Sequence, residues 1–163
     1  MTRTAEPIVR RARRSDAEAI AELAMALGRW IMGQDTRTTA GDIRGLAFGP
    51  RRWCDILVAV EAGEVVGYGL YRHFFEGFTG RRRMFLSDLA VAPDRRRDGI
   101  GHILMAAVAR KAQSLCCDAI TWECSDRNDV ALAFYDKLAA QRMPQVVSLQ
   151  IGRERIEALA AQT

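Results

Sequence analysis

Lysine is nearly missing: Lys111 and Lys137 are the only two, so the net charge of +4 over 163 residues is carried by arginine. A basic balance suits nucleic acid and an anionic cofactor equally well. The clusters Arg10-Arg11, Arg13-Arg14, Arg51-Arg52 and Arg81-Arg82-Arg83 are short and scattered. They lack the interleaved aromatics on which bases stack, and they read as solvated surface. No apolar run approaches the length of a membrane span. The first residues, Met1 to Pro7, have no apolar signal-peptide core, which makes a cytosolic location the expectation. Four cysteines, Cys54, Cys116, Cys117 and Cys124, show neither a disulfide framework nor paired C-x-x-C spacing. Reduced, mostly buried thiols and no metal site are expected. No internal repeat or low-complexity segment occurs, and a chain of this length, 49% hydrophobic, fits one domain over residues 1–163.

What is present is concentrated between Leu86 and Leu104. Leu86-Ser87-Asp88-Leu89-Ala90-Val91 has the composition of a strand, Pro93-Asp94-Arg95-Arg96-Arg97-Asp98 that of a basic turn, and Ile100, Ile103, Leu104, Ala107 and Val108 recur at helical spacing. Gly99 and Gly101 leave the turn without side chains where a ligand must touch backbone. The amides from Arg97 to His102 are then the unpaired donors of a helix start, an anion site to which arginines add bidentate partners for phosphate oxygens. A dinucleotide-binding turn fits less well, since the third glycine is missing and no βαβ unit precedes it.

In this R-x-x-G-x-G turn, at Arg96, Gly99 and Gly101, the chain resembles the GCN5-related N-acetyltransferases, whose corresponding turn grips the pyrophosphate of acetyl-CoA. The resemblance extends over Phe48-Gly49, Val66-Gly67-Tyr68 and Asn128 to Tyr135, in the manner of the diamine (spermidine/spermine) acetyltransferase branch. It implies an α/β (α+β) fold: a mixed, mainly antiparallel sheet of about six or seven strands flanked by about four helices. A parallel strand pair splaying near Leu89 would form a wedge for the cofactor arm. Arg96, Arg97, Asp98, Gly99, Ile100, Gly101 and His102 would then hold the diphosphate. The backbone of Leu89 and Val91 and the side chain of Asn128 would meet the pantetheine arm, and the Leu89 amide would steady the oxyanion. Tyr135 matches the tyrosine that protonates the leaving thiolate.

In chain order, Ile8 to Ala12 reads as a strand and Ser15 with Glu18 as a capping box. Ala19, Ile20, Leu23, Leu27 and Trp30 or Ile31 mark a helix face, and a shorter helix runs from about Asp42 to Phe48. Arg29, Trp30 and Gln34 fall where the family carries substrate-facing residues, although Trp30 also suits a core. Cys54–Val60, Val65–Phe74 and Phe85–Val91 are strands, the first two joined by a hairpin turn at Ala62-Gly63-Glu64. Phe74, Phe75 and Phe78, around the loop at Glu76, pack in the core or line the acceptor pocket. His73 is a lone histidine at a strand end. After the helix Gly101–Ser114 come a parallel strand Ala119–Cys124, a helix capped by Asn128 and packed through Val130, Leu132, Phe134 and Leu138, a last strand Gln145–Ile151, and a helix or tail from Arg153 to Ala161. That tail is a candidate dimer contact, and a homodimer is the expected assembly.

Two residues depart from the resembled branch. Its members carry Glu-Asp on the strand before the turn, whereas this chain has Ser87-Asp88. Asp88 remains the candidate base and ammonium partner, with Glu123 and Glu76 as further acids. Leu138-Ala139-Ala140 stands where a glycine usually closes the last core helix. The reading is acetyl transfer from acetyl-CoA to a primary amine of a polyamine-like or amino-acid-like molecule by direct attack. No cysteine adjoins a histidine as an activated thiol would. Trp30, Glu76, Phe78, Ser87 and Glu123 are the candidate acceptor contacts. The alternatives are a non-catalytic acyl-CoA-binding domain and transfer to a protein amine.

Overall fold

Runs rich in Val, Ile, Tyr and Phe build the centre of the sheet, because β-branched and aromatic side chains fit a pleated, half-buried surface. The structure, a computed structural model, describes residues 6–162. It falls into two compact units, one ending at Glu123 and one beginning at Cys124.

The first unit holds a five-stranded sheet in the order β1 (Ile8–Arg11), β2 (Asp55–Glu61), β3 (Glu64–Glu76), β4 (Arg81–Val91) and β5 (Ala119–Thr121). The first four are antiparallel neighbours and β4–β5 is parallel. The β2–β3 hairpin turns at Ala62 (φ 49°) and Gly63 (φ 88°), the positive dihedrals that a two-residue hairpin needs. Helices α1 (Ala17–Met32) and α2 (Ala40–Phe48) cover one face, packing Ile20, Leu23, Ala24, Ile43 and Ala47 with Ile56, Val58, Tyr68 and Ala90. Helix α3 (Ile100–Ser114) covers the other, where Ile100 and Leu104 meet Ala59 and Val66, with Val9, Leu89 and Val91 packed alongside.

Register decides which side chains reach which face. Leu70 pairs with Asp88 but Tyr71 pairs with Leu86, so Ser87 is the extra residue of a β-bulge. Side chains alternate along a regular strand, and one added residue switches the parity. Leu86 and Leu89 accordingly both lie beside Gly69 on the α3 face, while Asp88 reaches Tyr68 on the other.

The second unit contains α4 (Asp129–Lys137) and α5 (Arg153–Ala160). Ala139 follows α4 with φ 57°, so alanine holds the left-handed position where glycine was missed, at about 1 kcal/mol.

Several expectations need correction. Five strands occur among the described residues, fewer than the six or seven expected, and β5 ends at Thr121. Gln145–Ile151 alternates like a strand, yet it joins no strand ladder among the described residues, and Val147 and Leu149 stand 75% and 88% exposed. A strand needs a ladder as well as a pattern. Ser15 lies inside a 3-10 turn (Arg14–Asp16) and does not cap α1. Asp16 stands at the N-cap position without a side-chain cap bond to α1; its buried carboxylate instead accepts from the Arg13 amide at 2.6 Å and from Arg10 Nη1 and Nη2 at 2.7 and 2.9 Å. The apolar stripe of α1 ends before Trp30 and Ile31, both 54% exposed, and Val130 is exposed rather than packed. None of the four free cysteines is fully buried, and Cys116 is exposed.

Candidate active site

The basic turn begins where β4 ends. The Ala92 amide donates to Val66 O at 2.9 Å, which ties the exit of β4 to β3, and a 3-10 turn over Pro93–Arg95 redirects the chain. Arg97 has φ 75° and Gly99, the N-cap of α3, has φ 80°. A Cβ on Gly99 would meet nothing within 4 Å, so within the protein the glycine answers to its dihedral rather than to crowding. The α3 ladder opens with the amides of His102 and Ile103 donating to Gly99 O at 3.0 and 3.1 Å. The His102 amide is therefore committed, and the helix-start donors end at Gly101, one residue earlier than the sequence reading placed them. Ile100, 1% exposed, anchors this end in the core.

The three arginines divide their work. Arg95 pairs with the buried Glu61 at the end of β2 and, through Nε at 3.1 Å, with Asp98. It braces the turn, and Asp98 is engaged with it. Arg96 lays its guanidinium 4.6 Å from the ring centroid of Trp30 at the end of α1, a cation–π contact of about 0.5–1 kcal/mol at an exposed site. Arg97 and His102 are exposed. The resulting surface joins the N-terminal amides of a helix to two guanidiniums that, among the described residues, pair with no carboxylate, and such a surface suits a diphosphate.

Beside this turn the sheet opens. The β4–β5 ladder consists of Arg83, Met84 and Phe85 against Ala119, Ile120 and Thr121. From Leu86 to Val91, β4 continues with strand pairing, among the described residues, to β3 alone. Leu89 and Val91 lie on this segment, their side chains half-buried against the α3 core. Asp88, also half-buried, accepts a hydrogen bond from Tyr68 Oη at 2.9 Å. Burial pushes its carboxyl above the usual carboxylate range and the Tyr68 bond opposes that rise. No cation pairs with it among the described residues.

The other candidates are distributed as follows. Ser87 is exposed at the bulge. Glu76 is engaged by Arg83 Nε at 3.1 Å and by the Thr79 hydroxyl. Phe74, Phe75 and Phe78 are exposed at the β3–β4 hairpin, Phe78 by 89%, so they are not core. Glu123 lies exposed beyond β5. Arg29 pairs with Asp35. His73 lines a cavity of about 300 Å³ with Arg11, Arg52, Asp55, Tyr71 and Lys111, none of them a candidate site residue. In the second unit the Asn128 Oδ1 accepts the Ala131 amide at 3.1 Å, capping α4. Tyr135 stacks edge-on with Phe134 at 5.3 Å, and its phenol is pushed up to about 12, first by burial and then by the charge of Cys124.

Tyr68 is the residue that sequence reasoning missed as a chemical group. It is fully buried in a strand, and only the register across to Asp88 distinguishes it from a packing tyrosine.

Comparison with known proteins accords with this geometry. Residues 19–140 match the model of the Acetyltransferase (GNAT) family. The chain is 29% identical over 146 residues to a thialysine N-epsilon-acetyltransferase of Mus musculus, covering 84% of this chain and 85% of that protein. It is 30% identical over 77 residues to an L-ornithine N5-acetyltransferase of Arabidopsis thaliana, covering 47% of this chain and 34% of that one. Among solved structures, an integron cassette protein from the mobile metagenome of V. cholerae superposes with a TM-score of 0.81 at 22% identity, covering 96% and 98% of the two chains, a likeness of fold alone. With three quarters of its length spanned by that family model, the chain belongs to the Acetyltransferase (GNAT) family and is an N-acetyltransferase.

Proposed function

We propose that the enzyme moves an acetyl group from acetyl-CoA, the co-substrate of its family, to a primary amine of a small polyamine-like or amino-acid-like molecule. The observation that carries this reading is Asp88: a half-buried carboxylate with no cation partner among the described residues, on the strand segment that leads into the basic turn. Leaving a carboxylate unpaired below the surface costs stability, and an acceptor ammonium would offset that cost. The names of the relatives, which act on thialysine and on ornithine, support an amine on a short aliphatic side chain.

On this reading Arg96, Arg97 and the amides up to Gly101 hold the diphosphate, with Asn128 and the backbone of Leu89 and Val91 along the arm. The Leu89 amide faces the charge developing on the thioester oxygen. Asp88 takes the ammonium proton and the amine nitrogen bonds to the carbonyl carbon; as the C–S bond breaks, the Tyr135 hydroxyl gives its proton to the thiolate sulfur, and the second proton shed by the nitrogen restores the phenol. Trp30 and Ser87 border the acceptor side.

Replacing Asp88 by asparagine tests the assignment, since the amide keeps an oxygen for Tyr68 and removes the charge. Turnover of the best amine is expected to fall by about 10²-fold or more while acetyl-CoA affinity stays within about threefold. Because burial raises the carboxyl above its unfolded value, its ionised form weakens the fold as pH climbs past the unfolded value and up to the folded one. Thermal stability of Asp88→Asn at pH 7 is therefore expected to hold or rise. A fully active variant would remove Asp88 from the mechanism.

A further inference from the structure

Tyr68 is 0% exposed, its ring packed between the sheet and the α1–α2 layer with Ile20, Leu23 and Val58. Its backbone pairs with Ala90, and Leu70, two residues on, pairs with Asp88. The ring thus lies diagonal to Asp88 on one face, a spacing an aromatic side chain can bridge. A phenylalanine would fill the same volume without a polar atom, whereas a buried hydroxyl costs free energy unless it is bonded. Among the described residues this hydroxyl donates to Asp88 Oδ2 at 2.9 Å.

The surroundings leave that bond in control. The titratable groups facing Asp88 are Tyr68 from β3 and the half-buried Cys54 thiol from the segment entering β2. The thiol is pushed up first by burial and then by the charges of Asp55 and Asp88, so it is neutral at neutral pH. The phenol is pushed far up, chiefly by burial and then by the charge of Asp88, so it donates at every pH the enzyme meets. Burial works against the ionised carboxylate and the tyrosine hydrogen bond works for it.

We infer that Tyr68 is the positioning residue for Asp88: by occupying Oδ2 it fixes the carboxylate plane, leaves Oδ1 to the acceptor ammonium, and keeps the group in its proton-accepting form. The inference rests on the assignment of Asp88 above, and it adds that the strength of a base on β4 is set by a hydroxyl on β3.

Tyr68→Phe keeps the ring and deletes the donor. The acid limb of kcat/KM for the best amine is expected to move to higher pH by at least half a unit, with acetyl-CoA affinity unchanged. In the Asp88→Asn background the same replacement should add less than about twofold, because the group it acts through is gone. Replacement of Tyr68 alone by 3-fluorotyrosine, a more acidic phenol and stronger donor of nearly the same shape, should move the limb to lower pH. It also provides a test should the phenylalanine variant fold poorly. Limbs unmoved in both variants, or equal losses from Tyr68→Phe with and without Asp88, would overturn the inference and leave Tyr68 a packing residue. A fully active Asp88→Asn enzyme would overturn the underlying assignment instead, which makes the two failures distinguishable.

Discussion

Gly67 has no role in the chemistry, yet the structure makes it a sensitive point. A Cβ there would lie 2.8 Å from Ala90 O, 3.1 Å from Leu104 Cδ1 and 3.3 Å from Ile100 Cγ2. Two of these neighbours are side chains of α3 that can yield a little. The third is a backbone carbonyl of β4, one residue before Val91, and it moves only with the strand. Overpacking of this kind costs about 1–3 kcal/mol, and the reduced freedom of the unfolded chain in Gly→Ala returns about 0.4–1 kcal/mol. Gly67→Ala is thus expected to lose about 1–2 kcal/mol, or about 2–8 °C in Tm for a chain of this size. The shift would be transmitted to the exit of β4 and to Ile100, the two ends of the basic turn, so acetyl-CoA affinity should fall by about threefold or more. Gly69→Ala is the control on the same strand, because its Cβ would meet Val108, Leu86 and Leu89 at 3.5–3.8 Å, ordinary contact distances. Calorimetric titration and thermal melts of the two variants side by side decide the matter. Equal Tm values and equal affinities would refute the claim that close approach of β3, β4 and α3 shapes the turn.

Gly101→Val places a branched side chain at the end of the helix-start donors, and acetyl-CoA affinity is expected to drop by more than tenfold, about 1.4 kcal/mol or more. Unchanged affinity by titration in a folded variant would remove the diphosphate from this turn. Tyr135→Phe should lower kcat by about 10²-fold, the low end for general acid catalysis because the CoA thiolate is a fairly good leaving group, with affinity within about threefold. Steady-state rates measured beside a binding titration separate loss of an acid from loss of a cofactor contact. Asp16→Ala strips three hydrogen bonds from the start of α1 and is expected to cost about 2–4 kcal/mol at pH 7. The Arg10 hydrogen bonds hold the Asp16 carboxyl below its unfolded value, so its contribution is complete above that value and is lost as pH falls through the folded one. Denaturant melts should therefore show the gap between parent and variant shrinking below about pH 4.

The turn was legible because its signals are local. Strand, Pro93, arginines, Gly99 and an apolar helical stripe are all contiguous, and the structure returns each as a strand end, a 3-10 turn, a positive φ and α3. The hairpin at Ala62-Gly63 and the Asn128 cap were legible for the same reason. What failed depends on partners distant in sequence. Gln145–Ile151 has the alternation of a strand but no ladder among the described residues, and Trp30 continues an apolar stripe past the point where the helix still faces core. The Arg96 that covers it is 66 residues away in the chain. Ser15 reads as the cap because the sequence does not show the single tight turn before α1, which moves the N-cap by one residue to Asp16. The partnership of Tyr68 with Asp88 depends on a register that no single strand carries.

The bulge at Ser87 gives β4 an arithmetic as well as a chemistry. Which face Asp88 occupies depends on Ser87 being bulged out with no partner on β3, and hardly at all on what Ser87 is, since that side chain points to solvent. Substitutions at 87 are therefore expected to change the exposed surface beside Asp88 while its carboxylate stays in place. Deletion of Ser87 would iron out the bulge and leave Leu86, Asp88 and Leu89 in plain alternation opposite Tyr71, Leu70 and Gly69, so Asp88 would keep its face, whereas pairing Ser87 as an ordinary strand residue would carry Asp88 to the α3 side and Leu89 to the other. The strand tolerates the loss of this residue better than the loss of its bulge with the residue kept.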